Sequence, residues 1–336
     1  MVQGVLPEGK VRLIWFFDQY NRLLIMIRVL VTGASGFVGL ALCKALHHSP
    51  NYEVSAAVRS RAQALHMPTF AVGNIDGDSN WREALHRQHV VIHSAARVHV
   101  MEEECDDPLA EYRRVNVEGT LALAREAIRS GVKRFIFIST IKVNGDRTEY
   151  NQPFTAFSKP APEDAYGQSK LNAEQELTQL VKGTGMELVV IRPPLIYGPN
   201  VKGNFIRLIH VVKKQIPLPL GGIRNKRSFV SIDNLVDLIL TCIAHPAAAN
   251  NVFLVSDNHD LSTPELLTTL ACAAGKSPRL FSVPKTILSL FAKVLSKEPL
   301  LDRLTENLQV DIKHTSRTLN WLPKVSVKDG MKRCFE

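Results

Sequence analysis

The sequence predicts an α/β chain built on a doubly wound parallel sheet, with a smaller domain assembled from later, discontinuous segments. Three observations carry this reading. Strand and helix signals alternate from Ile27 to Ile191. A glycine-rich turn joins the first strand to the first helix. After Pro193-Pro194 the texture changes, and Pro and Gly become frequent through Gly222. Parallel strands need long crossovers, so strands alternating with helices imply a sheet covered on both faces.

The elements follow in order. Residues 27–31 form an apolar, β-branched run, which reads as a buried strand. Residues 37–47 have helical character, 54–58 form a strand, and 81–86 fall in a short helix. Residues 90–93 give a third buried strand, 109–130 a helix and 135–139 a strand. A helix over 166–182 and a strand over 188–191 complete the regular part. Residues 252–255 look like a strand returning to the sheet, and helices with short connections run from Thr263 onward. Residues 1–25 read as an extension outside the core, because the first strand begins beside Met26. The apolar stretch at 13–30 is interrupted by Asp18, Asn21, Arg22 and Arg28, so no membrane span is expected there.

Composition sets aside several classes. Of 336 residues, 45% are hydrophobic and 22% charged, which is ordinary for a globular chain. The formal charge of +9 comes from scattered Lys and Arg without a run or motif that reads nucleic acid, and an anionic small substrate needs only a few of them. Cys43, Cys105, Cys242, Cys272 and Cys334 show no C-x-x-C spacing, so neither a zinc site nor a redox pair is indicated. Dispersed free thiols fit a reducing cytoplasmic setting.

The first strand runs into Thr32-Gly33-Ala34-Ser35-Gly36-Phe37-Val38-Gly39. Three glycines at this place match the physics of the dinucleotide (Rossmann) fingerprint. Gly33 permits the tight turn, Gly36 admits a pyrophosphate, and Gly39 lets helix and strand pack closely. The helix N-terminus offers free N–H groups and a positive dipole end. Gly33, Ser35, Gly36, Phe37 and Val38 are therefore the expected phosphate side of a cofactor site. At the end of the second strand, Arg59 stands where NAD-specific sites usually carry Asp or Glu. A guanidinium suits a 2′-phosphate, so NADP(H) is favoured over NAD(H). Ala95 and Ala96, ending the third strand, are small enough to let the cofactor lie against the backbone. This assigns 26–195, with a return segment at 228–256, to dinucleotide binding, and 196–227 with 257–336 to a substrate domain.

Tyr166-Gly167-Gln168-Ser169-Lys170 is the most informative stretch. Residues four apart on a helix share a face, so Tyr166 and Lys170 point into the same space. A neighbouring ammonium lowers a phenol's pKa and makes a base available. Lys170 can also hold the nicotinamide ribose. Ser139-Thr140, at a strand end, supplies a hydroxyl partner.

On these residues the sequence resembles the extended short-chain dehydrogenases that include UDP-glucose 4-epimerase. The resemblance takes in residues 32–39, 93–96, 116–120, 139–140, 166–170, 192–199, 203–205, 227–233 and 319–323. It is strongest toward bacterial enzymes of surface-polysaccharide (O-antigen) synthesis that act on UDP-N-acetylhexosamines. It implies a nucleoside-diphosphate sugar as substrate, and it leaves a homodimer open. Counting back from Gly145, it selects Thr140 over Ser139 as the catalytic hydroxyl, with Asn144 where tyrosine is usual. It puts Pro193 among the cofactor contacts, Arg227 on the substrate diphosphate and Asn204 at the substrate's edge.

The family hosts several reactions. Its dehydratases carry Asp-Glu directly after the catalytic hydroxyl, whereas Thr140 is followed by Ile141-Lys142, so dehydration is not expected. Arg59 ranks NADPH-dependent reduction of a UDP-4-keto-6-deoxy-N-acetylhexosamine first. An NAD-dependent 4-epimerase of a UDP-hexose or UDP-N-acetylhexosamine is the alternative. A non-catalytic, cofactor-sensing regulator is disfavoured by intact Thr140, Tyr166 and Lys170.

Overall fold

The computed structural model describes residues 26–60, 65–98, 107–201 and 203–336. The extension 1–25 lies outside the described residues. The first half alternates as expected: β1 (Ile27–Thr32), α1 (Phe37–His47), β2 (Tyr52–Val58), β3 (Thr69–Ala71) and β4 (Val90–His93). Next come α2 (Pro108–Arg113), α3 (Thr120–Arg129), β5 (Arg134–Ile138), α4 (Ala165–Val181) and β6 (Glu187–Arg192). Beyond these lie β7 (Leu195–Tyr197), α5 (Asn204–Lys213), β8 (Phe229–Ser231), α6 (Ile232–Ala244) and β9 (Asn251–Leu254). The chain continues through α7 (Thr263–Ala273), α8 (Lys285–Val294), α9 (Glu298–Thr305), α10 (Lys313–Leu319) and α11 (Val327–Arg333).

Seven strands form one sheet in the order β3-β2-β1-β4-β5-β6-β9, and every neighbouring pair is parallel. The chain winds outward from β1 in one direction and from β4 in the other. The crevice between their C-terminal ends is where such sheets bind ligands. Period-two alternation divides the strand side chains between two cores. Val29, Val31, Ile92, Ile136 and Val189 face Leu42 of α1 and Leu235, Leu238 and Ile239 of α6. Leu30, Val91, Phe135, Phe137 and Val190 face Leu123 and Ala127 of α3 and Ala173 and Leu177 of α4. A third core, with Tyr197, Phe205, Ile209, Leu267, Leu270 and Met331, holds the later segments together.

The structure departs from the sequence reading in four places. Residues 82–87 form turns rather than a helix. One α-turn closes, Leu85 N–H to Trp81 C=O at 2.9 Å, but Arg87 adopts φ +59°, which stops propagation. The helix expected at 109–130 is interrupted by a π-helical turn over Arg114–Gly119. A Cβ on Gly119 would stand 2.5 Å from Ile75 Cγ2, so only glycine lets the helix pass this close to the chain after β3. Strand β3 is three residues long and carried no periodicity to read. Finally, β7 and β8 pair in a separate small parallel sheet.

A buried polar cluster ties α4 to the ends of β5 and β6. Arg192 Nε donates to Glu174 Oε1 at 3.0 Å and to Oε2 at 3.1 Å, and its Nη2 also reaches Oε2. Arg192 Nη1 donates to Asn144 Oδ1 at 3.1 Å, and Ser139 Oγ donates to Glu174. Asn144, which departs from the family's tyrosine, is therefore a hydrogen-bond partner of the buried guanidinium. Removing one member of a buried pair strands the other charge. Glu174→Ala is expected to lower unfolding free energy by about 3–5 kcal/mol in urea titration, and Glu174→Leu combined with Arg192→Met by much less. Equal losses would show that the ion pair is not what these side chains contribute.

Candidate active site

The glycine turn is shaped by contacts that exclude a side chain. Gly33 has φ +66°, and a Cβ there would lie 2.7 Å from Ala95 N. A Cβ on Gly39 would lie 2.1 Å from Gly33 O, so α1 sits directly on the turn. Gly36 differs: an added Cβ would meet only Gly33 O, at 3.1 Å, and the rest of that side is open. Ser35 and Gly36 are exposed, while Phe37 and Val38 are half-buried. Helix α1 has no side-chain cap and no acidic residue in its first turn. Its first N–H groups have no intrahelical acceptor, which fits a bound pyrophosphate. Ala95 and Ala96 are half-buried beside this turn, and Pro193 is buried at the end of β6. The Pro193 carbonyl accepts from Ile141 N–H at 2.9 Å. Arg59 is exposed immediately after β2. The end of β2 thus presents Arg59 and Ser60, and no carboxylate.

Helix α4 begins at an Asp164 cap, whose Oδ1 accepts from Gly167 N–H at 2.6 Å. Tyr166 stands one turn before Lys170. Lys170 is buried, with Nζ 4.0 Å from the centre of the Phe137 ring. Burial pulls its pKa down to about 7, and Glu174 opposes that shift. The Tyr166 phenol is pushed above its ordinary value by burial, with Asp164 and Tyr112 adding to the shift. Thr140 and Ser139 are sorted by their partners. The Ser139 hydroxyl is committed to Glu174, whereas Thr140 Oγ1 accepts a 3.3 Å bond from Lys142 N–H. The backbone of Lys142 also touches α4, since a Cβ on Gly167 would come within 2.8 Å of Lys142 O. Its ammonium pairs with Asp146 at 3.0 Å and with Asp164 Oδ2.

Four residues near this site went unassigned in the sequence reading. Asn116, in the π-helical turn, accepts from Arg97 N–H at 2.8 Å and donates to Ser169 Oγ at 2.9 Å, joining the chain after β4 to α4. His93 bridges Thr32 Oγ1 at 2.6 Å and Thr120 Oγ1 at 2.9 Å. Burial and then Lys170 pull its pKa down to about 3, so it stays neutral. Lys142 is the third; the motifs 93–96 and 116–120 and the Ile141-Lys142 pair flag this neighbourhood in the sequence without giving these bonds.

On the substrate side, Arg227 N–H and C=O exchange bonds of 2.9 Å with Leu261, and its Nη1 donates to Glu306 O at 3.2 Å. Burial pulls its pKa down, Glu306 and Asp146 support the charge, and Arg303 opposes it. Arg303, the fourth, thus stands within electrostatic reach of Arg227. Asn204 is the first residue of α5, after Gly203 at φ +69°.

A glycine cradle at the β1–β4 crevice, with tyrosine and lysine one turn apart on the adjoining helix, defines a dinucleotide-binding fold of the short-chain dehydrogenase type. Residues 29–256 match the model of the NAD dependent epimerase/dehydratase family. The chain belongs to that family. It is 50% identical over 306 residues to a UDP-glucose 4-epimerase of Vibrio cholerae, spanning 91% of this chain and 93% of that one. Among solved structures it is similar to UDP-glucuronic acid 4-epimerase from Bacillus cereus in complex with NAD. The TM-score is 0.74 at 22% identity, over 92% of this chain and 97% of that one. UDP-glucose 4-epimerase from Thermotoga maritima with UDP-glucose gives 0.71 at 22% identity, over 91% and 96%. At such identities the two structures show the fold alone.

The glycines separate two roles. Gly36→Val is expected to leave the melting temperature nearly unchanged and to weaken dinucleotide binding by at least about tenfold in calorimetry. Gly39→Ala is expected to destabilise the fold outright, because a backbone oxygen occupies the new atom's place. The reverse pattern would remove the cradle as the cofactor's seat.

Proposed function

We propose that the protein moves hydrogen at C4 of a UDP-sugar, with a nicotinamide dinucleotide held at the glycine turn. The observation that carries the proposal is the buried Lys170 side chain one turn from Tyr166, beside the open end of the β1–β4 crevice. Bound nicotinamide supplies the hydride acceptor and donor. Tyr166 takes or returns the proton of the C4 hydroxyl. Lys170 holds ribose hydroxyls and draws the phenol's proton affinity down against the burial that raises it. Thr140, its hydroxyl hydrogen unclaimed by Glu174, donates to the C4 oxygen. Arg227 and Arg303, two guanidiniums that repel each other, are relieved by a diphosphate between them.

The first reading is 4-epimerisation of a UDP-hexose or UDP-N-acetylhexosamine. It is supported by the half-identical Vibrio relative of that name, and it reverses the ranking drawn from Arg59. The second reading is NADPH-dependent reduction of a UDP-4-keto-6-deoxy-N-acetylhexosamine, favoured by the exposed Arg59 at the end of β2. An epimerase recycles its cofactor and retains it, whereas a reductase consumes one NADPH per turnover. Tightly bound NAD released on denaturing the purified protein, with interconversion of UDP-sugars and no net NADPH loss, supports the first. Stoichiometric NADPH oxidation with UDP-4-keto sugars supports the second. In that case Arg59→Ala should weaken NADPH binding by about ten- to a hundredfold and leave NADH binding unchanged. Under either reading, Tyr166→Phe should lower kcat by roughly a hundredfold to ten-thousandfold while preserving cofactor binding. Activity within tenfold of the parent would remove Tyr166 as the base.

The pH dependence follows from the groups around the phenol. Asp164 and Tyr112 raise its proton affinity, and the Lys142 ammonium is paired to Asp164. Lys142→Met leaves the Asp164 charge unscreened, so the phenol binds its proton more tightly. The acid limb of the kcat profile for C4 oxidation should then move to higher pH, and kcat at pH 7 should fall by roughly three- to thirtyfold. Asp164→Asn should move that limb the other way. A limb unmoved in both variants would mean that Tyr166 does not titrate in the rate-limiting step.

A further inference from the structure

We infer that the outward face of α8, with the turn that leads into α9, is a docking surface for an anionic phospholipid membrane. Helix α8 turns only Leu288 and Ala292 into the protein. Its opposite side presents Ile287, Leu290, Phe291 and Val294, all exposed, and Leu295 and Leu300 continue the surface. The spacing i, i+3, i+4, i+7 makes the four one unpartnered stripe. Exposed large apolar side chains occur singly on most surfaces, so a contiguous stripe of this length marks a contact.

Charge selects the occupant. Between Lys276 and Leu300 the sequence carries one acid, Glu298, against five cations, Lys276, Arg279, Lys285, Lys293 and Lys297. All five cations are exposed. An apolar stripe flanked by cations that outnumber acids five to one is the pattern of a helix lying in a membrane interface, apolar side in the acyl boundary and lysines at the headgroups. A second copy of the chain fits less well. A two-fold contact through this stripe would bring two such predominantly cationic sets together, with only Glu298 of each copy to offset them. The ten residues of α8 cannot cross a bilayer, and none of the described helices is long and apolar enough to do so. The surface therefore lies on the membrane rather than spanning it. Helix α9 runs from this face to Glu306, whose carbonyl receives Arg227, so the docking face and the diphosphate side share one domain.

The test is cosedimentation of the full chain with vesicles of phosphatidylcholine alone and of phosphatidylcholine and phosphatidylglycerol in equal parts, at low and high salt. Binding to the anionic vesicles should be at least about tenfold stronger than to the neutral ones and should weaken as salt screens the lysines. Leu290→Glu with Phe291→Glu should reduce it by about tenfold or more, with turnover in free solution unchanged. Three results would overturn the inference. One is no preference for anionic vesicles. Another is full binding by the double variant, which would place the contact elsewhere, for instance in residues 1–25. The last is a parent that sediments as a dimer through this face while the variant is monomeric, which would make a second copy the occupant.

Discussion

The contact on which the cofactor side depends is the descent of α1 onto the end of β1, where the space for a Gly39 side chain is taken by the carbonyl of Gly33. That approach fixes the direction of α1, and hence where its free N–H groups point. Gly33 in turn needs positive φ and lies against Ala95, so the same turn sets the distance between β1 and the chain leaving β4. Two close approaches, each requiring hydrogen in place of a methyl group, leave a third glycine, Gly36, facing outward. Its open side is what remains for a ligand once the other two have been used for packing.

The proton-transfer side is held by polar bonds rather than by close backbone contact. Glu174 gathers Arg192 and Ser139, and Arg192 extends the cluster to Asn144. Such a cluster is a costly thing to bury, because each charge must find all its partners within it. Here it joins three elements whose C-terminal or N-terminal ends meet at the site. The Ser139 hydroxyl is committed to that cluster, whereas the neighbouring Thr140 hydroxyl, which the proposed function assigns to the substrate, is not. His93, neutral at the end of β4, ties that strand to Thr32 of β1 and Thr120 of α3.

Much of this was legible before any coordinates. The strands have β-branched, doubly buried runs, and the glycine turn and Tyr166–Lys170 spacing carry their geometry in their sequence positions. What stayed hidden lacked a local signal. Strand β3 has three residues, too few for periodicity, and is held by its bonds to β2. The π-helical turn at Arg114–Gly119 keeps helical composition, and its altered pitch comes from Asn116 bonding across to Ser169 and from Gly119 meeting Ile75. Arg303 reads as one surface arginine among many, because only the fold brings it toward Arg227. The tie between Asp164 and Lys142 spans 22 positions and has no sequence signature of its own.

That last tie bears on which reaction the site can support. In the resemblance, the two positions after the catalytic hydroxyl carry acids in dehydratases, where loss of water needs an acid and a second base. Here they are Ile141 and Lys142, and a carboxyl acid is missing at both. The lysine does more than leave a gap. Its ammonium pairs with Asp164 and screens part of the charge that raises the Tyr166 proton affinity, and its backbone N–H donates to Thr140 while its carbonyl rests on Gly167. Under the proposed function, Lys142 leaves one of those two positions without an acid and also screens part of the charge that opposes Tyr166 as base. Under that function, the pair Ile141-Lys142 suits oxidation and reduction at C4 better than elimination, whether the keto sugar is formed in place or arrives ready made.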